Sequence, residues 1–314
     1  MGTPEVIVKC PATSANLGSG FDVCGLALEA PFNLMRVGLG QKNRFTGTGG
    51  YPLDAAKVED MLGPVIARAK EFTDSGVEVS VDAGIKPRSG LGASAAVSAG
   101  LVFALDKLLG LKLPATRLIE WAGLGEVAAD MEPHYDNVAP ALLGGFTAVC
   151  SSKPLRVKRF EPPAALECLL AIPDKEKEST AAARKLLPET IRRRDALSNS
   201  TSLASLLCGF ATGDVEAIIS GMEDRVVEPV RESKGFYPCL SHARVLGKKL
   251  GYGVAGSGAG PSILAIGDRA NADRAAFEGG LKKIYSANGV GATFLWTRPS
   301  SKGVEPAPPG GPKK

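Results

Sequence analysis

Met61, Leu62, Val65, Ile66 and Ala69 recur every three to four residues between Lys57 and Phe72, the spacing that lines one face of a helix. Just beyond, Val77, Val79 and Val81 alternate with other residues, the period of a strand with one buried face. These two periods divide most of the chain. Strands are predicted over Glu5–Cys10 and Ala27–Val37, the latter interrupted by Pro31, on either side of a glycine-rich turn. After a loop at Lys86–Gly92, an apolar helix runs from about Ser94 to Leu109 and stops at Gly110. Pro114 opens another helix that reaches about Ala129, and a short one begins at Asp136.

From about Lys158 the pattern changes. Strands are predicted at Cys168–Ile172, Val254–Ala255, Ser262–Ile266 and Ala292–Thr297. Helices are predicted at Thr180–Leu187, Ser200–Phe210, Asp214–Glu223 and Ser241–Leu250. From Pro299 onward prolines, glycines and lysines dominate, the composition of a disordered tail. No internal repeat is present. Mixed strands and helices without strict alternation predict an α+β fold rather than a doubly wound sheet.

Composition narrows the function classes. The 314 residues leave room for two ordinary domains, and the 44% apolar and 22% charged fractions are those of a globular chain. The net charge of +4 is too small for a nucleic-acid binder, and the one dense run, Arg192–Arg194, reads as a solvated loop or helix start. Six cysteines, none in a C-x-x-C arrangement, and two histidines argue against a structural zinc site; they suit reduced thiols in a cytoplasm. Neither a signal peptide nor an apolar run long enough to span a membrane is expected.

The chemistry gathers in four segments. Ser89-Gly90-Leu91-Gly92-Ala93-Ser94-Ala95-Ala96 opens an apolar helix, so backbone N–H groups and a helix N-terminus can face an anion. A glycine turn with a serine cap explains the same residues structurally. The sequence lacks the Gly-Lys-Ser/Thr of a Walker loop and the later glycine of a nicotinamide fingerprint. A second glycine turn, Val254 to Ser262, reads either as close backbone approach to a ligand or as an unusual hairpin. Pro11 to Asp22 is a small-residue turn carrying Asn16 and Asp22. Glu126 precedes His134-Tyr135-Asp136-Asn137-Val138-Ala139-Pro140 by eight residues, and His134 by itself reads equally as a structural histidine.

Taken in order, these segments resemble the GHMP kinases. Pro87 to Ala95 is similar to their Pro-x-x-x-Gly-Leu-Gly-x-Ser-Ala pattern, and Gly256 to Pro261 to their last motif. Pro11 to Gly25, His134 to Pro140, Thr180 to Pro188 and Glu223 to Arg231 resemble the homoserine kinase branch, and the likeness covers Val6 to Thr297. The resemblance implies a first domain over 1–157 like ribosomal protein S5 domain 2, a ferredoxin-like second domain over 158–299, and a tail over 300–314.

It also implies roles. ATP would lie on Pro87, Arg88, Ser89, Gly90, Leu91, Gly92, Ala93, Ser94, Ala95 and Ala96, with Gly256 and Gly258 approaching by their backbone. Ser94 and Glu126 would hold Mg²⁺, with Glu132 the competing carboxylate. Ala93 replaces the first serine of the family's Gly-Ser-Ser, removing one hydroxyl. The implied substrate is the zwitterion L-homoserine. Arg184 and Arg231 would read its carboxylate, and Asp22 its ammonium. Asn16, His134, Asp136, Asn137 and Thr180 would complete the pocket. Asn137 stands where some relatives place a catalytic carboxylate, which leaves the hydroxyl proton to the transferred phosphate or to Asp136. Family members often form homodimers. The rival expectations are another GHMP substrate, such as mevalonate, shikimate or an amino alcohol, and a non-catalytic ligand sensor.

Overall fold

The computed structural model describes residues 4–51, 53–130, 132–175 and 180–308. β1 (Glu5–Asn16) and β2 (Gly20–Gly40) form a long antiparallel hairpin. β3 (Arg44–Gly49), α1 (Ala55–Ala69) and β4 (Gly76–Ala83) follow. β3 and β4 run parallel, which demands a crossover, and α1 supplies it. Asp54 caps α1, its Oδ1 accepting from the N–H groups of Ala56 (3.1 Å) and Lys57 (3.5 Å). The helix buries Leu62, Val65, Ile66 and Ala69, the face its apolar spacing marks.

α2 (Ala93–Leu109) ends at Gly110, in left-handed conformation as expected, and α3 (Ala115–Asp130) folds back along it. α2 is buried on most of its circumference, which suits a central helix. Its close approach to α3 is made at Ser98, whose Oγ donates to the Ala122 carbonyl at 2.5 Å. α4 (Tyr135–Leu143), β5 (Phe146–Ser152) and β6 (Leu155–Phe160) complete this half. β5 pairs with β2 through Cys24–Leu26 and with β6 on its other side, so β6 belongs to the first sheet and carries it past residue 157 to Phe160.

β7 (Leu166–Pro173) begins a second sheet. Five helices follow: α5 (Thr180–Lys185), α6 (Arg193–Thr212), α7 (Val215–Gly221), α8 (Glu228–Ser233) and α9 (Leu240–Leu250). The remaining elements are β8 (Tyr252–Gly256), β9 (Ile263–Asp268), α10 (Arg274–Ala287), β10 (Ala292–Thr297) and β11 (Glu305–Pro306). The second sheet has the order β10-β7-β9-β8 and is antiparallel throughout.

β7 is buried on both faces. Leu169 and Ala171 meet Phe277, Leu281 and Tyr285 of α10, whereas Cys168, Leu170 and Ile172 join the cluster that fills the first sheet. The two sheets therefore share a continuous core. Phe146 of β5 stacks on Phe210 of α6 at 3.9 Å between centroids, tying the halves together.

The expected α+β organisation is present, but the end of the chain differs from expectation. Residues 299–307 are not a free tail. Ser300 N–H donates to the Ala27 carbonyl (2.8 Å), Val304 N–H to Ala141 (2.7 Å), and β11 pairs with β1. Backbone hydrogen bonds hold this strap, so its proline- and lysine-rich composition is no obstacle. Residues 309–314 of the expected tail lie outside the described residues. No helix among the described residues is long and apolar enough to cross a membrane.

Candidate active site

Three loops converge between the sheets. The first runs from β4 to α2. Gly92 takes φ +64° at the helix start, and α2 has no side-chain cap. The serine cap that would explain these residues structurally is absent, and helix geometry leaves the N–H groups of the first turn without intrahelical partners, as an anion site requires. The glycine turn after β8 abuts this loop: Ser262 N–H donates to the Ser89 carbonyl (3.1 Å), and Ser257 Oγ to the Gly90 carbonyl (2.8 Å). β1 closes the set, with Thr13 N–H donating to the Leu91 carbonyl (3.1 Å) and Gly258 N–H to Ala15 (3.1 Å). Pro87, Arg88, Ser89, Gly90 and Leu91 thus form the loop, and Ala93, Ser94, Ala95 and Ala96 the first helical turn. Ser89 Oγ is used within the loop, donating to the Lys86 carbonyl at 2.7 Å.

Gly256 and Gly258 have protein neighbours that account for them. A β-carbon on Gly256 would stand 2.5 Å from the Tyr237 ring, and one on Gly258 3.1 Å from the Gly90 carbonyl. The Gly258 carbonyl accepts from Asn16 Nδ2 (2.8 Å), Tyr237 Oη (2.5 Å) and Arg231 Nη1 (3.2 Å). Asn16 is spent on holding the turn, since its Oδ1 also accepts from Asp22 N–H (3.1 Å). Asn16, Asp22, Arg88 and His134 all have positive φ (76°, 58°, 57° and 35°). Such a gathering of strained non-glycine residues is characteristic of functional sites.

The charged groups face one another across this space. Arg231 is 2% exposed, and its ion-pair partners among the described residues are none; Tyr237 Oη (3.2 Å) and the Gly258 carbonyl are neutral, and Nε has no hydrogen-bond partner. A buried guanidinium in that state costs several kcal/mol, so the site favours an anion. Arg184 is held differently. It clasps Asp22 through both terminal nitrogens (2.8 and 3.2 Å) and reaches Glu132 at 2.9 Å, half-exposed. The Phe21 ring lies beneath both guanidiniums, at 5.1 Å from Arg231 and 5.7 Å from Arg184. Thr180 opens α5, but its side chain lies outside what the structure describes.

α4 brings its first turn to the same space. Asn137 Oδ1 accepts from Thr13 Oγ1 at 2.9 Å, so the amide is fixed. Asp136 is buried; burial first, then the Asp22 and Glu126 charges, push its carboxyl up to about 7. On α3, Glu126 is 3% exposed, whereas the Glu132 side chain is 49% exposed and paired with Arg184. Ser98 meets Ala122 across the α2–α3 contact, and one further turn brings Ser94 and Glu126 to the same level. Among the described residues no cluster of three or more acidic, histidine or cysteine side chains could hold a metal unaided. A hydroxyl and a buried carboxylate supplemented by phosphate and water fit Mg²⁺, and a cation there would relieve the repulsion between Glu126 and Asp136.

The titration of Asp136 has a measurable sign. The folded chain keeps this proton up to about pH 7, whereas an unfolded aspartate releases it near the ordinary value of 3.8. The associated stability is complete below that lower value and is lost as pH rises towards 7. In metal-free and nucleotide-free protein, Asp136→Asn should therefore gain on the parent by several degrees in Tm between pH 4 and pH 7.5, roughly the span over which such a group titrates. Thermal melts in which the two proteins keep a constant difference would show that Asp136 ionises normally.

Sequence reasoning did not single out Thr13, Phe21, Lys86 or Tyr237. Lys86 bonds the Pro173 (2.8 Å) and Asp174 (3.0 Å) carbonyls at the end of β7. These roles depend on partners distant in sequence, and only Thr13 and Phe21 had a signal, their place inside the first small-residue segment.

Comparison with known proteins gives a consistent picture. Residues 55–145 match the family model described as the GHMP kinases N terminal domain. A homoserine kinase of Methanococcus maripaludis is 37% identical over 268 residues, covering 83% of this chain and 87% of that protein. A homoserine kinase of Thermoplasma acidophilum is 33% identical over 299 residues, covering 94% and 95%. The crystal structure of homoserine kinase from Cytophaga hutchinsonii superposes with a TM-score of 0.84 at 30% identity, over 96% of this chain and 97% of that one.

Proposed function

The chain belongs to the homoserine kinase family of the GHMP kinases, and on that footing we propose that it transfers the γ-phosphoryl group of ATP to the side-chain hydroxyl of L-homoserine. The products are O-phospho-L-homoserine and ADP, a step of threonine biosynthesis. The observation that carries the substrate assignment is Arg231, a buried cation with no carboxylate partner among the described residues, over the same Phe21 ring as Arg184, which clasps Asp22. A ligand with a carboxylate and an ammonium satisfies both, which mevalonate and shikimate do not. The six cysteines are free thiols, which supports a cytoplasmic enzyme.

Phosphoryl transfer asks chiefly for positioning and charge neutralisation. The uncapped first turn of α2 and the Gly90–Gly92 backbone take the phosphates. Ser94 and Glu126 would hold Mg²⁺, which when bound offsets the charge of the phosphate oxygens. Arg231 and Arg184 fix the substrate carboxylate and Asp22 its ammonium, which orients the hydroxyl. Asn137, an amide anchored by Thr13, orients and does not take the proton. The hydroxyl oxygen bonds the γ-phosphorus as the bond to the bridging oxygen breaks, and the proton passes to the transferred phosphoryl group. The raised pKa of Asp136 favours a second route, with that carboxylate as acceptor.

ADP release measured across homoserine, threonine, serine, mevalonate, shikimate and 3-aminopropanol tests the assignment. Homoserine should be preferred strongly, and any panel member turned over better overturns it. Arg231→Met, which keeps the buried volume, should raise KM for homoserine roughly 10- to 100-fold with a smaller change in kcat, as expected for a charge-assisted contact remote from the reacting bond. KM for ATP should stay near that of the parent. If Arg231→Met distinguishes homoserine from 3-aminopropanol as well as the parent does, the carboxylate is read elsewhere.

A further inference from the structure

We infer that Asp22 and Arg184 form an exchange pair that selects for zwitterions: in the empty site each stands in for the half of the substrate that the other would bind. This rests on the reading above, in which Asp22 takes the ammonium and Arg184 shares the carboxylate. The two side chains clasp each other bidentately, at 2.8 and 3.2 Å, and Asp22 is 39% and Arg184 30% exposed, so both are accessible to a ligand. Arg231 offers the contrast. It is buried and bonded to Tyr237 and the Gly258 carbonyl, a fixed reader without an ion-pair partner among the described residues. Arg184 is already neutralised and must be released.

The charges decide which ligands can release it. Asp22 and Glu132 bring two negative charges, Arg184 and Arg231 two positive ones. A zwitterion that parts Asp22 from Arg184 supplies a new partner to each and leaves the sum unchanged. A hydroxy acid without the ammonium can pair with Arg184 only by stripping Asp22 of its cation. An amino alcohol without the carboxylate does the reverse. Selection against singly charged analogues therefore exceeds the loss of one contact, because the analogue must also break a pair that it cannot restore.

The test is the affinity of 4-hydroxybutyrate, which is homoserine without its ammonium group. Calorimetry on the whole 314-residue chain would compare the parent, Asp22→Asn, Arg184→Met and the double variant. Asp22→Asn leaves Arg184 with Glu132 as its one carboxylate partner among the described residues, so it should bind 4-hydroxybutyrate about three- to fivefold tighter than the parent, the range for a half-exposed ion pair. It should bind homoserine more weakly. In the Arg184→Met background the Asp22→Asn change should bring no gain. A contact that merely accepts the ammonium predicts no gain in the first comparison; a diffuse electrostatic effect predicts a gain that survives without Arg184. Either result overturns the exchange pair. ADP release with homoserine in the same preparations keeps the two readings apart, because its absence would remove the kinase assignment while the affinity cycle still reports the pair.

Discussion

Gly92→Val is expected to abolish ATP binding and turnover in a chain that still folds. Gly92 has φ +64°, a conformation that costs a β-branched residue roughly 1–3 kcal/mol. A β-carbon there would overlap Thr13 Oγ1 and stand 3.0 Å from Asn137 Oδ1. Those two atoms are bonded to each other at 2.9 Å, so the new side chain enters the link between β1 and α4. The substitution therefore acts twice. It crowds the backbone proposed to face the phosphates, and it disturbs the Asn137 amide proposed to orient the reacting groups. Gly92→Ala should show the same direction more mildly, with ATP affinity down by at least about tenfold, or ~1.4 kcal/mol. Calorimetric titration with ATP, alongside circular dichroism to confirm the fold, provides the measurement. Parental affinity in Gly92→Ala would remove the phosphate cradle from this loop.

Glu126→Gln should lower kcat by at least about tenfold, near 1.4 kcal/mol of transition-state stabilisation, with Ser94→Ala following in the same direction. The structure separates Glu126 from its competitor. Glu126 is buried beside Asp136, whereas Glu132 is exposed and already paired with Arg184. The amide keeps the size of the side chain and loses its charge, so folding is preserved while a cation loses its anchor. Glu132→Gln should leave kcat within about twofold of the parent, because an exposed ion pair contributes only about 0–1 kcal/mol. Steady-state kinetics with varied magnesium decides between them. The reverse ranking would transfer the metal role to Glu132.

The parts of this molecule that were legible in its sequence are those whose cause is local. Gly90 and Gly92 before Ser94 admit the left-handed backbone of the loop by themselves, and Leu62, Val65, Ile66 and Ala69 announce α1 by their spacing. α10 was not read, because Gly279 and Gly280 mask the recurrence of Phe277, Leu281 and Tyr285. Tyr237 was invisible for another reason: its hydroxyl matters only because the chain carries Gly258 to it. The paired state of Arg184 and Asp22 likewise depends on contacts no spacing rule contains. The division at 157/158 came with the resemblance; β6 runs across it to Phe160, and one core cluster holds residues from both sides of it.

The strap at 299–307 bears on how the chain is made. On the ribosome β1 emerges well before β11, the strand that covers its edge. At about 5–20 residues per second the first half waits many seconds with an open strand edge and with the Ala141 carbonyl lacking the Val304 N–H that later reaches it. The nascent protein is therefore exposed to edge-to-edge association until β11 has left the ribosome. A fusion partner attached directly at residue 307 would prolong that exposure by hindering Ala307 N–H from meeting the Ile7 carbonyl; an N-terminal fusion leaves the strap free to dock.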